Sequence, residues 1–208
     1  TTGSNSAAFG FCSLASGTTA NLNTAIGNFA LKTTDNGCKN TAVGYQSMFD
    51  ATSAECNVAL GAYSLTNNTT ANFNTALGTC SMLTNTTGAA NVAVGYNSLF
   101  SNTTADSNTA VGAEALLINS TGDNNTAIGY QALEQNTTAQ YNTAVGSLSL
   151  TTNTTGANNI AVGRCALKTN STASHNVAVG CGVLKLNTTG AENTGIGSIV
   201  LDKNTTGS

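Results

Sequence analysis

The sequence has no proline, no tryptophan and a single histidine, and only 7% of its 208 residues are charged and 5% aromatic. An ordinary globular domain carries about 25% charged residues. A disordered chain carries high net charge and little apolar content, whereas 40% of this one is hydrophobic. Neither class fits. Six Lys plus Arg against nine Asp plus Glu leave a net charge of −3, which gives no basic footprint for a nucleic-acid backbone or an anionic bilayer. No apolar run approaches the roughly 20 residues of a membrane span. The opening TTGSNSAAFG also lacks the charged-then-apolar layout of a leader. Catalysis needs positioned acids, bases or nucleophiles, but His175 stands alone and the acids are scattered singly. The chain therefore reads as a non-enzyme with no cofactor. Asp occurs only at 35, 50, 106, 123 and 202, too sparsely for the Asp-rich nonapeptides of calcium rolls. The six cysteines have no CxxC spacing, which excludes the usual zinc sites.

What is present is a repeat. Gly recurs at 10, 27, 44, 61, 78, 95, 112, 129, 146, 163, 180 and 197, a step of 17 with no insertion or deletion. The array forms one domain over residues 1–208, with coils starting at 6, 23, 40, 57, 74, 91, 108, 125, 142, 159, 176 and 193. Residues 125–141, NTAIGYQALEQNTTAQY, are a typical copy. Counted from this Gly, Ala stands two places before it in eleven copies, the exception being Gly195. Leu or Met stands four after it in all twelve, and Ala or Gly ten after it in all twelve. Asn opens eleven copies, and a second Asn stands seven after the Gly in nine, at Asn68, Asn85, Asn102, Asn119, Asn136, Asn153, Asn170, Asn187 and Asn204.

Short segments such as NTAVG and SLSL, bounded by Gly, Asn and Thr, predict two strands of about four or five residues in each coil. Alternation puts the Thr or Val three before the Gly on one strand face with the Val, Ile or Leu one before it; Asn, Ala and Gly share the other. The branched face is the expected core. A 17-residue unit cannot bury its own apolar face, but stacking each unit on the next by parallel pairing does so. The predicted fold is all-β, a parallel β-solenoid of twelve coils, about 58 Å long at about 4.8 Å per strand. Its core is thin, and the flat Ala face is the expected place for a second rod to pack.

Three further features carry expectations. The second Asn opens Asn-X-Ser/Thr acceptor sequences, with extra ones at Asn67 and Asn124; glycans on successive rungs would crowd, which favours a structural Asn ladder. Cys38 with Cys56, and Cys165 with Cys181, fall one place out of register on adjacent coils, so two coil-to-coil disulfides are sterically allowed, with free thiols as the alternative. Ser or Thr fills the eighth and the ninth place after the Gly in eleven copies each. Adjacent side chains of an extended strand point to opposite faces, so this pair suits a turn better than a flat hydroxyl array.

The run NTAVG followed by xxSL or xxAL resembles the YadA-like head repeat of trimeric autotransporter adhesins and the NTAVGYQAL-type repeats of tail fibres and other surface fibres, over all twelve units. The resemblance implies a left-handed β-roll and a homotrimer with the small residue of the motif on the threefold axis. On that reading Ala25, Ala42, Ala59, Ala76, Ala93, Ala110, Ala127, Ala144, Ala161 and Ala178 line the axis, while Val43, Val94, Val111, Val145, Leu65, Leu99 and Leu133 fill each roll. The adhesin repeat is nearer fourteen residues, and an Asn-Thr-Thr corner is added here.

The function expected from these features is a structural and adhesive rod of an extracellular surface fibre or virion tail fibre. Fixed positions build it and variable ones are displayed. Phe11, Tyr45, Tyr63, Tyr96, Tyr130 and Arg164, just after the Gly, are candidates for contact with cell-surface glycans. One alternative is an ice-binding solenoid, which regular Thr rows suggest. Another is an end-to-end filament, since TTGS opens and closes the sequence in the same phase and the chain reads as a segment of a longer array.

Overall fold

The computed structural model describes residues 5–16 and 19–208. The opening TTGS, residues 1–4, lies outside them. The chain is an all-β parallel solenoid with no helix among the described residues. Twelve strands of three residues, from β1 (Ala7–Phe9) to β12 (Thr194–Ile196), form one sheet in strict sequence order. Register follows the repeat without slippage: Ala93 of β6 (Val92–Val94) lies against Ala76 of β5 (Thr75–Leu77) and Ala110 of β7 (Thr109–Val111).

Each coil holds one strand rather than the two expected. The SLSL-type segment is not extended, because two of its residues turn to the left-handed side: in the coil beginning at Asn91, Asn97 has φ 52° and Leu99 φ 51°. A left-handed conformation costs an L-residue about 1–2 kcal/mol. Here it is held by neighbouring coils on both sides. The Asn97 N–H donates to the Thr79 carbonyl of the preceding coil, and the Leu99 N–H to the Ala115 carbonyl of the next at 2.9 Å. Leu99 is also fully buried, a gain of about 1.5–3 kcal/mol. This reversal turns the whole Leu/Met row inward, so Leu65, Leu99 and Leu133 fill the roll as expected.

The two faces of the strand are reversed relative to the sequence expectation. The alanines at 25, 42, 59, 76, 93, 110, 127, 144, 161 and 178 are each 0% exposed within a single chain. They line the lumen and cannot line an axis between chains. The branched residues on either side of them face outward: Val43, Val94, Val111 and Val145, expected inside, are half-exposed. The reason is room. Each Ala packs in one cluster with the Leu/Met row, and the lumen left between them admits a methyl group. Gly195, the single exception to Ala, reports the same limit, since a Cβ there would lie 2.6 Å from Val183 Cγ1. Val183 stands where all other coils but the last, which has Val200, have Ser or Ala, so the oversized neighbour is matched by a deleted methyl.

A third left-handed residue, twelve places after the Gly, closes each coil at an outer corner; His175 has φ 62° and Ala90 φ 57° there. Ala90 is exposed. Ala90→Gly is therefore expected to stabilise the rod by about 0.5–1 kcal/mol, by removing the left-handed penalty. Urea unfolding followed by circular dichroism reads it, and a loss of stability would mean the corner is not strained.

Candidate functional site

Two rows of asparagine amides run along the inside of the rod, one from Asn23 to Asn193 and one from Asn68 to Asn204. In the row that opens each coil, the backbone N–H of Asn91 donates to Asn74 Oδ1 at 2.9 Å, and Asn91 Nδ2 donates across the coil to the Ala105 carbonyl at 2.8 Å. The second row meets the same carbonyls: Asn85 Nδ2 donates to Asn68 Oδ1 at 2.9 Å and to the Gly88 carbonyl at 2.9 Å, and Asn85 Oδ1 accepts from Asn102 Nδ2 at 2.7 Å. Bonds of this kind continue through Asn119, Asn136, Asn153, Asn170 and Asn187 to Asn204. From Asn68 to Asn187 these side chains have no exposure, so in the folded rod their nitrogens are spent on the ladder. Thr34 occupies the same row two coils before Asn68, and its Oγ1 is the one buried side-chain polar atom without a partner among the described residues. Asn124, by contrast, is an exposed acceptor sequence.

The outer face of the strands is the most regular surface of the molecule. Two rows of side chains flank the buried Ala row: Thr, Val or Ile on one side and Val, Ile or Leu on the other. Val58 is 41% exposed, Leu60 47%, and Ile160 42%. The stripe carries no ionisable residue from β2 (Thr24–Ile26) to β12.

Turning from that stripe across the landmark Gly, the first coils carry an aromatic patch. Phe11 meets Phe29 edge to face at 5.4 Å, Phe29 meets Tyr45 at 6.2 Å, and Tyr45 meets Tyr63 at 5.2 Å. Lys32 Nζ lies 4.9 Å from the Phe49 ring centre. Burial, and then the neighbouring Tyr45, push the Tyr63 phenol above its ordinary pKa. Tyr96 and Tyr130 continue this face as separate exposed rings. The sequence candidates thus fall into one cluster, Phe11, Tyr45 and Tyr63, and scattered members.

The cysteines stand as free thiols. Cys56 N–H donates to the Cys38 carbonyl at 3.0 Å, so the first expected pair lies on bonded neighbouring coils. Burial, and then the Glu55 carboxylate, raise the Cys38 pKa, which favours the unreactive thiol. Of the second pair, Cys165 is buried and Cys181 exposed. In the Thr pair the eighth-place hydroxyls donate along the rod, Thr86 Oγ1 to the Thr103 carbonyl at 2.9 Å. The ninth-place row, Thr87 and its equivalents, is exposed, whereas the eighth-place hydroxyls are half-buried except at Thr52 and Thr205. Among the described residues no three His, Cys, Asp or Glu are grouped to hold a metal ion. No helix among them is long and apolar enough to cross a membrane. Comparison with protein-family models, with curated proteins and with solved structures finds no match.

Proposed function

We propose that this chain is a structural rod of an extracellular fibre, on a cell surface or a virion, that holds distance and displays the variable side chains of each coil. Rods associate side by side through the outward branched stripe, three to an axis and with the left-handed sense of the repeat that the sequence resembles. The stripe carries this reading. An uncharged face with one continuous row of Val, Ile or Leu beside a row of Thr, Val or Ile is larger than the isolated exposed residues that soluble surfaces tolerate. Its rows repeat at the strand spacing of about 4.8 Å, and a second copy of the chain offers the same spacing along its whole length. The aromatic patch at Phe11, Tyr45 and Tyr63 supplies a surface on which sugar rings stack, which gives the rod an adhesive end.

The test is native mass by light scattering across a concentration series. Wild type is expected near three times 20.7 kDa. Val58→Asp together with Val92→Asp, both on the stripe, is expected to give the monomer mass with an unchanged circular dichroism spectrum. A wild type that stays monomeric at every concentration overturns side-by-side assembly. Species far larger than a trimer that persist in the double variant place the contact at the rod ends instead.

A further inference from the structure

The chain has six Lys and Arg residues in 208, and three of them border one groove. Arg164, Lys168 and Lys185 surround a cleft of about 410 Å³ over the last four coils, with Asp202 as its one carboxylate. A molecule with net charge −3 thus carries a local excess of two positive charges. Lys168 and Lys185 occupy the same place in adjacent coils, where the strand spacing of about 4.8 Å sets like charges side by side, a destabilising arrangement. Asp202 holds the same place in the coil after, so Lys185 has an unlike charge on one side, while Lys168 has Thr151 on its other side.

Gly182 forms the floor. Its row, two places after the landmark Gly, carries a side chain in each of the other coils, among them Gln46, Gln131, Leu148 and Ile199. Gly182 has φ 65°, and non-glycine residues of the row hold the same hand, with Gln131 at φ 52° and Ile199 at φ 59°. Backbone conformation therefore does not demand glycine here. Crowding does not demand it either, because a Cβ built on Gly182 meets no atom within 4 Å. What glycine provides at this one place is an opening, walled along the rod by Cys165 in the coil before and by Ile199, 62% exposed, in the coil after, with Leu148 one coil beyond Cys165.

We propose that this groove binds an anionic sugar unit, its carboxylate or sulfate held between Arg164, Lys168 and Lys185 and its ring seated over Gly182 between Cys165 and Ile199. The volume lies in the range of small-ligand sites, about 300–1,000 Å³. Arg supplies a planar fork for an oxyanion and Lys a point charge. The three cations decide the charge of the ligand, and the open floor with apolar walls decides that it has a body. The site belongs to a single rod and does not rest on side-by-side assembly.

The test is titration of the full chain by isotope-edited NMR at low ionic strength, with a reducing agent because Cys165 and Cys181 also border the groove. The probes are glucuronate, glucose 6-sulfate, glucose and inorganic sulfate. Both anionic sugars are expected to shift the amides of Gly182 and Lys185 saturably. Glucose is expected to leave them unmoved, and sulfate to bind at least tenfold more weakly. Lys168→Ala with Lys185→Ala is expected to weaken glucuronate at least tenfold. Gly182→Gln, which places the side chain of Gln131 in the opening, is expected to abolish the response while the circular dichroism spectrum stays that of the wild type. Saturable binding unchanged in Gly182→Gln, equal binding of glucose, or no response to either anionic sugar overturns the proposal. Equal affinity for sulfate and glucuronate overturns the sugar and leaves an anion cradle alone.

Discussion

Gly95→Ala is expected to break the rod between its sixth and seventh coils, at a cost above about 4 kcal/mol. Gly95 follows β6 directly at φ 131°, a region that L side chains rarely adopt. A Cβ there would lie 2.7 Å from both the carbonyl carbon and oxygen of Gly112 and 3.1 Å from the Ala113 nitrogen. All three atoms are backbone of the next coil, so no rotamer change gives way. Relief requires the coils to separate, and separation takes with it bonds such as Val92 N–H to the Asn108 carbonyl at 2.8 Å. Gly182→Ala is the control. Its added methyl meets nothing within 4 Å at φ 65°, so only the left-handed cost of about 0.5–1 kcal/mol is expected. Denaturant unfolding and limited proteolysis read both variants, with new cleavage near residue 95 only in the first. If Gly95→Ala unfolds within about 1 kcal/mol of wild type, the landmark Gly row is not where the coils meet.

That row was legible in the sequence because an unbroken step of 17 residues can only stack, and stacking fixes parallel order and register together. The direction of the strand faces was not. Alternation divides the strand places correctly into two faces, with Val92 and Val94 on one and Ala93 on the other, but ranking the faces by hydrophobicity chooses the wrong one. Lumen width decides it, and lumen width depends on Leu99 reaching in from the far side through a left-handed turn that no propensity scale assigns to leucine. The exchange of Thr for Val58, Val92, Ile160 and Val177 reads as support for an inward face, but half-exposed places allow it equally; the signal that points the other way is Gly195, which replaces Ala in the coil following Val183.

The corner ten places after the Gly holds a further pattern that treating Ala and Gly as one class hides. From Ala71 to Gly190 the two alternate: Ala71, Gly88, Ala105, Gly122, Ala139, Gly156, Ala173, Gly190. A Cβ on Gly88 would collide with the Ala105 carbonyl oxygen and would lie 2.6 Å from Asn85 Oδ1. Over this stretch the structural unit is two coils, 34 residues long. The basic groove was hidden for a different reason. Arg164, Lys168, Lys185 and Gly182 occupy variable places, and a repeat consensus discards variable places first, although on a rod built from fixed rows they are where one coil differs from the next.

Asn85→Leu is expected to cost about 3–5 kcal/mol and to divide the unfolding of the rod. The substitution keeps the bulk of the side chain and removes three hydrogen bonds: to Asn68 Oδ1, to the Gly88 carbonyl and from Asn102 Nδ2. The Gly88 carbonyl keeps its bond from Asn74 Nδ2 at 2.9 Å, and Asn102 Nδ2 keeps the Ala105 carbonyl. Asn68 Oδ1 is left without the amide it faces, and a buried polar group stripped of its partner costs about 1–3 kcal/mol. Asn67→Leu, one residue before Asn68 and half-exposed, is the control and is expected to change stability by less than about 0.5 kcal/mol. Because each coil contacts only its neighbours, a solenoid distributes a local lesion as a weakened interface rather than a uniform loss. Hydrogen exchange is therefore expected to show faster opening at Asn74 and Asn91, which open the altered coil and the next one, while amides near Asn153 keep wild-type protection. Equal exchange along the whole rod would make it one cooperative unit, and an Asn85→Leu chain as stable as wild type would mean that the amide rows are fillers of the lumen rather than the bonds that close it.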